Sequence, residues 1–66
     1  MKNIATLQFI DAETGDDGLA VVRASARAVS LALSLRANGD TEVFLSKQDC
    51  RKLIAALEQA TSDASR

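Results

Sequence analysis

The 66-residue chain has no histidine, proline, tryptophan or tyrosine, one cysteine and two phenylalanines. Each gap excludes something. Without His the commonest general base of enzyme catalysis is absent. A single Cys cannot build an internal disulfide framework. With aromatics at 3% the core must come from Ala, Val, Leu and Ile. No apolar run approaches the roughly 20 residues that a membrane-spanning helix needs. No signal-peptide pattern follows Met1 and Lys2, so a cytoplasmic location is expected.

Charge of one sign is also scarce. The net charge is −1, unevenly spread. Residues 1–17 sum to −3, 18–36 to +3, 37–49 to −2 and 50–66 to +1. No large basic field exists, which removes the main electrostatic driver of nucleic-acid binding.

Hydrophobic residues make up 47% of the chain, a globular share that argues against disorder. The length suits one domain, read here as residues 1–62 with a polar tail at 63–66. A domain this small buries only about 60% of its unfolded surface. Its core is thin, which leaves room for stabilisation by a partner or a second copy.

Ile4 to Ile10 reads as a first strand, with Ala5, Leu7 and Phe9 on one face. The acidic stretch DAETGDDG, residues 11–18, is a loop. Residues 19–28 are Ala-rich and admit a short helix capped by Asp17. The next stretch does not. Val29, Leu31, Leu33 and Leu35 alternate with Ser30, Ala32, Ser34 and Arg36, the period of a half-buried strand. One strand over 19–36 would be far longer than usual, so a hairpin break is expected near Ser25–Arg27.

Asn38-Gly39 marks the following turn. A three-residue loop, Ala37-Asn38-Gly39, puts all aliphatics on one face, with Gly39 left-handed after a type I turn. It pairs Leu33 with Val43, Leu31 with Leu45, and Arg36 with Asp40. Ser46 then begins a helix. Ser46 to Asp49 resembles a capping box, and Asp49 suits the positive end of the helix dipole. Cys50, Leu53, Ile54 and Leu57 form an apolar stripe at helical spacing.

The expected fold is α+β: an antiparallel three- or four-stranded β-meander packed against one C-terminal α-helix. The expected core is Leu7, Phe9, Val22, Val29, Leu31, Leu33, Leu35, Val43, Leu45, Cys50, Leu53, Ile54 and Leu57. The opposite sheet face would carry Phe44, Glu42, Ser30, Ser34 and Arg36, with Ile4 and Ile10 if the first strand orients that way, a mixed surface that invites a homodimer or a partner.

No catalytic constellation emerges, and no enzymatic activity is expected. Cys50 sits near a helix N-terminus, which lowers a thiol pKa, but it lacks a histidine and reads as a small buried hydrophobe. Asp11, Glu13, Asp16 and Asp17 do not match the EF-hand ligand spacing. They read as a solvated loop or as a contact for a basic partner. No metal or other cofactor is expected.

The strand order and strand-Ser-helix ending over residues 19–60 resemble the PC4-like single-stranded DNA-binding proteins. The chain departs from that family by lacking basic, aromatic strands on which bases stack, so single-stranded DNA binding carries over only weakly and stands as a second alternative. In its size and in the acids of DAETGDD with Asp40 and Glu42, the chain also resembles small phage-encoded anti-CRISPR proteins, including those against type I systems. That resemblance implies a stoichiometric inhibitor. Asp11, Glu13, Asp16, Asp17, Asp40 and Glu42 would then face a basic, nucleic-acid-binding surface of a host defence complex.

Overall fold

The computed structural model describes residues 1–64. The fold is α+β: four antiparallel strands in the order β1-β2-β3-β4, followed by one C-terminal helix. The strands are β1 (Lys2–Ile10), β2 (Asp17–Ala24), β3 (Val29–Leu35) and β4 (Gly39–Leu45), and the helix is α1 (Lys47–Ala64).

Strand β1 begins two residues earlier than its apolar pattern suggests. Its register shifts between Asn3 and Ala5, where a bulge absorbs Ile4. Beyond it Ala5, Leu7 and Phe9 face Val22, Ala20 and Gly18. Strand β2 starts at Asp17, so the last two residues of the expected loop are strand.

Residues 19–24 are strand, not helix, and the break falls at Ser25–Ala28. No Gly or Asn is needed there. The Ser25 N–H donates to the Ala28 carbonyl at 3.0 Å. The Ser25 hydroxyl accepts from the N–H groups of Arg27 and Ala28 at 3.3 and 3.2 Å. A serine side chain thus replaces the usual turn glycine.

The β3–β4 turn corrects the expected register by two residues. Leu31 pairs with Val43, Leu33 with Thr41 and Leu35 with Gly39. The turn residues are Arg36 to Asn38, and the Asn38 N–H donates to the Leu35 carbonyl at 3.2 Å. Gly39 takes the expected left-handed conformation, φ +83°. A two-residue slide keeps every side chain on its face, because side chains alternate with period two. One face therefore carries Leu7, Phe9, Val22, Leu31, Leu33, Leu35 and Val43, and the other Ser30, Ser34, Glu42 and Phe44. Arg36 does not pair with Asp40; it lies beside Asp17.

Helix α1 begins as the sequence suggests. The Ser46 hydroxyl accepts from the Asp49 N–H at 3.1 Å, a serine cap. The helix runs to Ala64, so Asp63 and Ala64 belong to its last turn rather than to a polar tail. Ser65 and Arg66 lie outside the described residues.

The expected core is not enclosed. Among the described residues only Ser30 is fully buried, and no apolar side chain is. Helix α1 touches the sheet beside β4 and does not cover its apolar face. Leu7 stays 57% exposed, Val43 45%, Ile54 51% and Leu57 58%. The connection is short: Ser46 alone separates β4 from α1, where a strand and the helix packed on its sheet are usually joined by about 2–6 residues.

Candidate functional site

The acidic end of the sheet is built from the β1–β2 loop and the β3–β4 turn. The loop is a closed unit. The Asp11 N–H donates to the Asp16 carbonyl and the Gly15 N–H to the Asp11 carbonyl, both at 2.9 Å. Gly15 permits the reversal through φ +76°. The Asp11 carboxylate accepts from the N–H groups of Glu13 and Thr14 at 2.9 Å each. Those donors, Thr14 foremost and then Glu13, hold the Asp11 carboxyl below its ordinary pKa of 3.8, because they stabilise its charged form.

Asp16 joins the two segments. One carboxylate oxygen accepts from the Asp17 N–H at 2.9 Å, and the other from the Ala37 N–H at 2.8 Å. The Arg36 N–H donates to the Asp17 carbonyl at 3.0 Å. The Arg36 guanidinium lies 3.6 Å from the Asp17 carboxylate. Both side chains are largely exposed, so this ion pair contributes little stability.

Asp11, Glu13, Asp16, Asp17 and Asp40 thus belong to one end of the sheet. Glu42 does not join them. It lies two residues further along β4 and accepts a 2.6 Å hydrogen bond from the buried Ser30 hydroxyl. Asp11 and Asp16 are committed to backbone donors, Asp17 has Arg36 beside it, and Glu13 and Asp40 are exposed. A shallow groove at this end is lined by Phe9, Gly18, Leu35, Arg36 and Asp40. Arg36 is the member that charge counting alone does not assign to this end. Its position follows from the turn geometry.

Among the described residues no group of three or more Asp, Glu, Cys or His is arranged to hold a metal ion. Cys50 is half-buried in the first turns of α1. No described helix is long and apolar enough to cross a membrane.

The second exposed feature is apolar. Leu7, Phe9, Leu33 and Val43 stand together on the sheet, and Leu53, Ile54 and Leu57 follow one side of α1. These side chains are 37–58% exposed. Comparison with known protein families, with curated proteins and with solved structures finds no match to this chain.

Proposed function

We propose that the chain is a non-enzymatic binding protein that meets a basic protein surface with the acidic end of its sheet. Its mode would be stoichiometric occlusion of a nucleic-acid-binding site in a host defence complex, in the manner of the anti-CRISPR proteins it resembles. The observation that carries this reading is the tie between the acidic loop and the β3–β4 turn through Asp16 and Ala37. A loop already closed by its own hydrogen bonds loses little freedom on binding. Its carboxylates present a phosphate-like field to Lys and Arg, which speeds association and weakens with salt.

The test is affinity capture from a bacterial lysate followed by mass spectrometry, with the parent chain and a Glu13→Gln, Asp17→Asn, Asp40→Asn variant. These changes spare Asp11 and Asp16, which close the loop. A basic, nucleic-acid-binding protein captured by the parent, lost in the variant and released by salt supports the reading. Equal recovery by both rules out the acidic end as the contact.

The apolar surfaces favour a second reading, an interaction subunit without inhibitory action. A PC4-like DNA binder would retain labelled single-stranded DNA at micromolar protein with steep salt dependence. No retention is expected, because the acidic end repels the strand.

A further inference from the structure

The chain has too much surface for its mass. It exposes 5291 Å², whereas a folded monomer of 7.0 kDa exposes about 4,000 Å². Its radius of gyration is 13.1 Å, against about 11 Å for a compact domain of this length. The excess over that scaling is about 1,250 Å² per chain. It is accompanied by two apolar surfaces that the fold leaves uncovered, the sheet face and the helix stripe.

The chain does not close these surfaces on each other. Ser46 is the only residue between β4 and α1, and its side chain is already the helix cap. A second copy can close both at once. A two-fold axis makes each contact reciprocal, so one operation covers two sheets and two helices. A foreign partner would need two separate complementary patches. The dimensions agree along the strands: an 18-residue helix is about 27 Å long, and strands of 7 to 9 residues run about 24–31 Å. Covering the excess on two chains removes about 2,500 Å², within the range of obligate homodimers.

We propose that two copies of this chain form an isologous homodimer in which α1 of each packs Leu53, Ile54 and Leu57 onto the Leu7, Leu33 and Val43 face of the other. The interface is apolar, so its stability persists in high salt. It is independent of what the acidic end binds, and loss of salt-sensitive partner capture would leave it standing.

Sedimentation equilibrium of the full chain tests it. A mass of twice 7.0 kDa, unchanged in high salt, is expected. Leu33→Glu on the sheet and Leu57→Lys on the helix should each halve that mass. Mixing the two should restore a dimer, because one helix–sheet contact then pairs opposite charges and the other is native. A folded monomer for the parent chain at high micromolar concentration overturns the proposal. So does a Leu33→Glu chain that stays dimeric, since the copies would then meet through other surfaces. A second measurement does not depend on either variant folding. In a half-labelled parent sample, intermolecular nuclear Overhauser effects should connect the Leu57 and Leu33 methyls. Their absence from a dimeric sample also overturns it.

Discussion

The Ala37 N–H donates to the Asp16 carboxylate at 2.8 Å across a separation of 21 residues. This hydrogen bond, with the Arg36 N–H to Asp17 carbonyl bond beside it, makes one unit of the β1–β2 loop and the β3–β4 turn. It also gives a loop acid a structural task. Under the proposed function, Asp16 would add to the acidic field as well as close the sheet end.

Asp16→Asn should weaken that closure. Asparagine offers one oxygen for two N–H donors, at Asp17 and Ala37. A loss of about 1 kcal/mol is expected in urea unfolding, with faster amide exchange at Ala37. Unchanged exchange at Ala37 would mean that the side-chain bond does not hold the turn.

Phe9 stands over Gly18 on the neighbouring strand, so closely that a Cβ at Gly18 would meet the ring. Gly18→Ala should push the ring outward and reduce its ring-current shift at the α-proton of position 18. Phe9→Ala should cost about 1–2 kcal/mol, less than for a fully buried ring, because Phe9 is 38% exposed. An unperturbed Gly18 α-proton shift in Phe9→Ala would remove the stacking contact.

Gly39 sits at φ +83° with open space around its α-carbon. The cost of a side chain there is conformational rather than steric contact with neighbours. Gly39→Ala should lose about 1–2 kcal/mol, and Gly39→Asn less, since asparagine visits the left-handed region more readily. An alanine variant whose urea melt superimposes on the parent would show that the turn relaxes without a left-handed residue.

Asp11 sets a pH dependence. Its carboxyl lies below its ordinary pKa in the folded chain because Thr14 and Glu13 donate to it. A lowered folded-state pKa adds stability above the unfolded value, and that stability is lost as pH falls through the folded value. The gap in urea midpoint between the parent and Asp11→Ala should therefore be full at neutral pH, and shrink once the pH drops below 3.8. A gap that stays constant into strong acid would assign the effect to something other than the ionised carboxylate.

Local signals carried much of the architecture. Strict alternation from Val29 to Leu35, Asn38-Gly39 and the Ser46 cap each act within a few residues, and all three operate in the fold. The break near Ser25 was legible from strand length, although its chemistry, a serine hydroxyl receiving two N–H groups, carries no glycine signal. The acidic end was legible as far as charge and loop order go.

Register and burial were decided elsewhere. Pairing Leu31 with Val43 rather than Leu45 leaves every residue on the same face, so hydrophobic alternation cannot distinguish the two registers. The choice falls with the contacts of Arg36 and Ala37 to Asp17 and Asp16, which join residues about twenty positions apart. Likewise the Leu53, Ile54 and Leu57 stripe shows that the helix has an apolar side, but not which surface covers it. Periodicity records what a side chain avoids, which is water. Only the folded chain, with a single serine between β4 and α1, shows that its own sheet face stays uncovered.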